Sequence, residues 1–242
     1  MNPLSPLPKT GNLTERIAAL AARDIPLKLS GTYKGVILSQ ELRILDVQTG
    51  YIVLESPHHR ICAALSSRVI LQSPYLASTL FAYLLDLNVW TGKLTVTNLV
   101  ETGKSWVERR SERVQPKDPI HTKIRGPKIA QRGGIQNISI TGVGTLVYHS
   151  SSREEAPAPN SSIHLEFELP RTAESMMVKG IVANATRLPN RMTRLGVQMF
   201  PNIRQTHQLE NYVEYRRVEI LTELDRACVA ALEPRPTKDL FF

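Results

Sequence analysis

The chain is poor in the residue types that most protein chemistry needs. Its 242 residues include two cysteines, Cys62 and Cys228, far apart and in no paired spacing, so neither a disulfide framework nor a cysteine metal site is expected. The six histidines are scattered. The one adjacent pair, His58-His59, is followed by no cysteine or carboxylate at a ligand spacing, and no metal is expected. There is no Gly-x-Ser-x-Gly elbow, no phosphate-cradling glycine loop and no His-Glu-x-x-His. An enzyme reading therefore has no nucleophile, base or metal to build on, and no cofactor is called for. No apolar run approaches the roughly 20 residues of a membrane span, and the N-terminus lacks a basic then apolar leader. The expectation is a soluble, cytoplasmic protein that is not an enzyme.

What is present is positive charge. Thirty Lys and Arg against 22 Asp and Glu give a net +8 and a pI near 9.7, which suits an anionic partner without saying which: nucleotide, nucleic acid, acidic membrane surface or acidic protein patch. Hydrophobic residues make up 42% of the chain, enough for a core. Domains usually run to about 100–150 residues, so two are expected.

Residues 1–12, with Pro3, Pro6 and Pro8, read as a disordered arm. Asn12 or Thr14 can cap a helix through about Arg23, with Leu13, Ile17 and Leu20 on one face and Pro26 ending it. Short β-like runs follow: 27–29, 33–38, 41–47, 51–55, 68–72, 80–89 and 93–97. Turn signals such as Thr49-Gly50, Ser73-Pro74 and Thr91-Gly92 separate them. A helix and many short strands predict a small antiparallel barrel or sandwich over 13–104. Tyr75, Phe81, Tyr83 and Trp90 are expected in its core rather than in a partner-binding patch.

The domain junction is placed at 100–107, and a second domain over 105–232 is expected, followed by a tail at 233–242. Its first strand is placed at 116–124. Arg125-Gly126-Pro127-Lys128 through Arg132-Gly133-Gly134 reads as a basic loop, either solvated or touching phosphate. Strands flank an Asn-x-Ser turn within 135–149, a flexible loop covers 150–162, and further strands fall at 163–169, 178–186 and 193–200. A helix from Thr206 to Leu232 carries Leu209, Val213, Val218, Ile220, Leu221 and Leu224 on an apolar face, with Arg216-Arg217 exposed. That face packs on its own barrel or forms a dimer. The fold class is thus mainly β: two small antiparallel β-barrels in tandem, with an N-terminal and a C-terminal helix.

The informative stretch is Glu108-Arg109-Arg110-Ser111-Glu112-Arg113, read with Asn137-Ile138-Ser139-Ile140-Thr141-Gly142. Two arginines four residues apart in a polar segment want an anion, because the planar guanidinium forks onto a phosphate or the O6/N7 edge of guanine. They could also pair on the surface with Glu108 and Glu112. Asn137 and Ser139 offer donors and acceptors, and Gly142 permits a positive φ or a close approach. Arg-x-x-x-Arg followed by Asp/Asn-x-Ser-x-x-Gly resembles the signature of PilZ domains, bacterial receptors for the second messenger cyclic di-GMP. The run from Met176 to Ala185 and the Arg194-Leu195-Gly196-Val197 ending are similar to the family's late hairpin, so the resemblance covers roughly 105–225. The layout of helix, small barrel and arginine motif resembles the two-domain flagellar brake proteins.

The resemblance implies that Arg109 and Arg113, helped by Arg110, hold phosphate and guanine, while Asn137, Ser139 and Gly142 surround a base. Glu108 beside the first arginine, and Asn137 in place of the commoner Asp, depart from the pattern. The implied function is a ligand-switched adaptor: cyclic di-GMP changes the angle between the domains and exposes a surface for a protein partner such as a flagellar motor or exopolysaccharide component, in a monomer or homodimer. The alternatives are a cyclic di-GMP-responsive DNA-binding regulator, for which no helix-turn-helix or aromatic-interleaved basic run speaks, and a degenerate PilZ scaffold that binds no nucleotide.

Overall fold

A computed structural model describes residues 11–58, 67–102, 111–126, 129–149, 156–172 and 174–232. The chain divides into two compact units, the first comprising 1–33, 37–109 and 221–242 and the second 34–36 and 110–220. Among the described residues the structure is mainly β: two closed antiparallel barrels of six strands each, a short N-terminal helix and a C-terminal helix. No helix among the described residues is long and apolar enough to cross a membrane.

In the first unit, helix α1 spans Leu13–Ala21. Of the two capping candidates it uses Asn12. The Asn12 side chain accepts the Glu15 N–H at 2.9 Å and the Glu15 carboxylate accepts the Asn12 N–H at 3.1 Å, a reciprocal box that satisfies two otherwise orphaned donors. Strands β1 (Leu27–Tyr33), β2 (Val36–Gln48), β3 (Tyr51–Glu55), β4 (Arg68–Gln72), β5 (Thr79–Asn88) and β6 (Lys93–Thr102) close in the order β1-β2-β3-β6-β5-β4. The run expected at 33–38 is split by a tight turn, because Lys34 and Gly35 both take positive φ, 49° and 91°. Leu27, Leu29, Leu42, Leu54, Leu71, Leu80 and Leu94 fill the barrel, with Ile17 and Leu20 of α1 packed against them. The expected aromatic core is corrected: Tyr75, Tyr83 and Trp90 are exposed and Phe81 is half-buried. On β5 the period of two gives the inward positions to Leu80 and Ala82, which leaves Phe81 and Tyr83 facing out.

The second unit holds β7 (Ile120–Gly126), β8 (Ile129–Ser139), β9 (Gly142–Tyr148), β10 (Ser162–Glu168), β11 (Ser175–Leu188) and β12 (Met192–Phe200), closed in the order β10-β11-β12-β9-β8-β7. Inward Ile163, Leu165, Phe167, Val178, Val182, Leu195 and Val197 alternate with outward residues that include both polar side chains and exposed Met177 and Ile181. The basic glycine-rich stretch is only partly a loop. Arg132, Gly133 and Gly134 lie within β8, where Gly133 presses so closely on β9 that an added Cβ would sit 2.5 Å from the Leu146 carbonyl. Pro127 and Lys128 lie outside the described residues.

Helix α2, Ile203–Leu232, begins three residues before the expected Thr206. Asn202 supplies the missed cap, exchanging hydrogen bonds with Gln205 at 2.9 and 3.0 Å. Leu209, Tyr212, Val213 and Ile220 are buried, whereas Val218 is exposed. Arg216, expected at the surface, is 2% exposed. Its Nε donates to the Gln115 carbonyl at 2.9 Å and its Nη1 to Glu219 at 3.1 Å, so the buried charge is paired and hydrogen-bonded. In the first unit Leu224 and Cys228 form a small cluster with Tyr33 and Leu38. Cys62 and His59 lie outside the described residues.

Candidate functional site

The two halves of the motif meet through one backbone contact. Val114, fully buried, forms an antiparallel bridge with Ile138 of β8, each N–H donating to the other's carbonyl at 2.9 Å. The apolar side chain of Val114 thereby anchors its neighbours on the outer face of β8 and β9. Half-buried Arg113 brings its Nη2 to 3.9 Å from the point a Cβ on Gly142 would occupy. On the other side of Arg113, Glu112 accepts from Arg217 Nε of α2 at 3.1 Å. Ser111 Oγ lies 3.0 Å from Thr141 Oγ1 in the β8–β9 turn. With Arg216 holding the Gln115 carbonyl, residues 111–115 are tied to both the barrel and α2.

The Asn-x-Ser element is strand, not turn. Asn137 and Ser139 lie on β8, and the register Ser139↔Gly142 leaves Ile140-Thr141 as the two-residue connection. Ser139 is 1% exposed and donates its hydroxyl to the Gly142 carbonyl at 3.0 Å, so it shapes the hairpin. Gly142 is absent from the positive-φ residues; it is small because a Cβ would stand 3.3 Å from the Val197 carbonyl. Its role is close approach. Asn137 follows a bulge between Ile135 and Asn137 and lays its amide over Gly144, at 2.8 to 3.1 Å from where that residue's Cβ would be. Its Oδ1 is buried and accepts no hydrogen bond among the described residues. Such an atom loses its hydration without replacement, which is costly until a donor arrives.

The structure therefore brings Arg113, Asn137, Ser139 and Gly142 onto one face. Arg109 and Arg110, with Glu108, lie outside the described residues. Sequence reasoning missed Ser111, Thr141 and Gly144. Gly144 was findable, since Gly142 and Gly144 stand at the period of two that puts both on one strand face.

A cleft of about 810 Å³ in this unit lies elsewhere, lined by His121, Lys123, Arg132, Glu166 and Arg171. There Lys123 (2.7 Å) and Arg125 (2.8 Å) converge on Glu166. Lys123 foremost holds that carboxyl below the usual range. Charge at this cleft is internally compensated. No group of His, Cys, Asp and Glu among the described residues is placed to hold a metal ion.

Residues 108–215 match the PilZ domain family model. Among solved structures, Escherichia coli YcgR in complex with c-di-GMP is similar over 87% of this chain and 91% of its own, at 13% identity and a TM-score of 0.43. The K. pneumonia MrkH–c-di-GMP complex is similar over 88% and 94%, at 11% identity and 0.42. The Bacillus subtilis inhibitor of motility MotI/DgrA is similar over 80% and 96%, at 10% identity and 0.39. No curated protein matches the chain. The matched segment spans both halves of the arginine and Asn-x-Ser motif.

Proposed function

We propose that the protein is a cyclic di-GMP receptor whose site comprises Arg109, Arg110, Arg113, Asn137, Ser139 and Gly142, and that it acts as an effector and not as an enzyme. The observation that carries this reading is the Val114↔Ile138 bridge, which brings the Arg113 guanidinium close to Gly142 on the same hairpin as Asn137. In the proposed complex Arg113 forks onto a phosphate or the O6/N7 edge of guanine. The Asn137 Oδ1, buried and without a partner among the described residues, accepts from guanine N1–H or N2–H. Ser139 and Gly142 supply a low, fixed floor on which a flat base can lie. Arg109 and Arg110 complete the anion grip, as the family motif implies.

The signal is proposed to be mechanical. A ligand that holds both the arginine segment and the β8–β9 hairpin restrains the stretch joining the two barrels, changes their arrangement, and presents a surface to a protein partner governing motility or exopolysaccharide output in the cytoplasm. A ligand can shift such populations only by its differential affinity for them. Titration calorimetry with cyclic di-GMP, GTP and cyclic GMP tests the first step. The expected result is saturable binding of cyclic di-GMP in preference to the other two. Absence of heat with cyclic di-GMP would defeat the proposal and leave a PilZ scaffold without a nucleotide.

A further inference from the structure

The second barrel repeats its own site. Gly144 of β9 stands directly opposite Gly196 of β12. An antiparallel pair has a local two-fold axis normal to the sheet between such residues. The outer neighbours obey the same axis: β8 pairs with β9 through Asn137↔Gly144, and β11 pairs with β12 through Asn184↔Gly196. The row across four strands is Asn137, Gly144, Gly196, Asn184.

The correspondence extends along the strands. Ser139↔Gly142 maps onto Thr186↔Arg194, so Asn137-Ile138-Ser139 has a counterpart in Asn184-Ala185-Thr186. The bulge before Asn137 maps onto an equivalent bulge between Val182 and Asn184. Side-chain geometry matches as well. The Asn184 amide atoms lie 2.7 to 3.0 Å from where a Gly196 Cβ would be, as those of Asn137 lie 2.8 to 3.1 Å from that of Gly144. Because Cβ positions of directly opposed residues are about 5 Å apart, the two amides lie side by side at the centre of the sheet face.

The arginines follow the same symmetry by different routes. In the first half the Gly142 position has no side chain, and Arg113 brings its guanidinium there. In the second half the equivalent position is Arg194 itself, exposed on β12. Gly142 and Arg194 are four residues apart along the strands and one strand across, about 14 Å. Asn184, Thr186 and Arg194 are all open to solvent, and the side chains of Asn184 and Arg194 make no hydrogen bond or ion pair among the described residues.

We infer that Asn184, Thr186 and Arg194 form a second half-site, related by this local axis to Asn137, Ser139 and Arg113, that reads the second guanine of a two-fold symmetric bis-guanosine dinucleotide. The inference rests on the cyclic di-GMP reading above. Each half offers what one guanine needs: a guanidinium fork for O6/N7 and an amide oxygen for N1–H or N2–H. A ligand with one guanine satisfies only one half.

The test compares cyclic di-GMP with cyclic GMP-AMP, in which one guanine is replaced by adenine, by titration calorimetry on the full-length wild type, Arg113→Ala and Asn184→Ala/Arg194→Ala. Because the substituted residues of the double variant are exposed, its thermal melt should match the wild type. The wild type should prefer cyclic di-GMP. The double variant should bind it at least about tenfold more weakly and bind the two ligands within about threefold of each other, because the second base is no longer read. Wild-type affinity and preference in the double variant would overturn the second half-site while leaving the receptor reading intact. A wild type that binds no cyclic di-GMP would overturn both.

Discussion

Replacing Gly144 by alanine should damage the proposed ligand site without replacing any residue proposed to contact the ligand. The new Cβ would meet Asn137 Nδ2 at 2.8 Å, Oδ1 at 2.9 Å and Cγ at 3.1 Å. Ordinary contact begins near 3.5 Å, so the amide must retreat by roughly 0.5 Å or more. It is the far end of a two-torsion side chain, and its Oδ1 has no hydrogen bond to lose among the described residues. The fold should therefore absorb the change for about 0.5–1.5 kcal/mol of rotamer strain, or a few degrees in Tm. Binding should suffer more. A displaced amide forfeits up to two hydrogen bonds to guanine, each contributing about 0.5–1.5 kcal/mol, so the affinity for cyclic di-GMP should fall on the order of five- to a hundredfold. Titration calorimetry beside a thermal melt separates the two effects. Asn137→Ala should cost a similar amount, and the double variant should cost little more than either, because both act through one amide. Wild-type affinity in Gly144→Ala, with the melt preserved, would refute the role assigned to Asn137.

Arg113→Ala and Arg109→Ala should each weaken cyclic di-GMP binding on the order of ten- to a hundredfold with little change in melting, and lysine should not fully restore either; unchanged calorimetric affinity would move the site elsewhere. Gly133→Ala is the contrasting case: its Cβ would stand 2.5 Å from the Leu146 carbonyl, a backbone clash between β8 and β9 that no side-chain rotation relieves. Denaturant titration should show a loss of about 2 kcal/mol or more, and an unaltered midpoint would contradict it. Burial pushes the Tyr212 phenol from 10.0 up to about 12, so the neutral form is favoured in the folded state. Its stabilisation is complete below pH about 10 and is lost as pH rises towards about 12, on the order of 1–2 kcal/mol after allowing for solvent screening. Tyr212→Phe should flatten that part of the alkaline stability profile, and an identical slope in both proteins would refute the assignment. Solution scattering with and without saturating cyclic di-GMP should differ in overall profile if the ligand rearranges the barrels, and superimposable curves at full occupancy would leave a local surface change as the signal.

The sequence by itself determined the class of fold and named the residues of half the proposed site. Alternation at a period of two with punctuating turns is set by local sterics, so the strands, a helix capped by Asn12 or Thr14 and the mainly β fold were legible, while the pairing of an arginine segment with Asn137, Ser139 and Gly142 came from the resemblance to the PilZ signature. Tertiary structure decided what depends on partners distant in sequence. Tyr83 faces outward because the register of β5 gives the inward places to Leu80 and Ala82. Arg216 is buried because the carbonyl that receives it lies far away, at Gln115, and Ser139 is engaged because the hairpin turns at Ile140-Thr141. The correspondence of Asn184-Ala185-Thr186 with Asn137-Ile138-Ser139 is invisible along the chain. A short Asn-x-Thr has no meaning until strand register sets Asn184 over Gly196, directly across from Gly144, and makes two separate strands the halves of one surface.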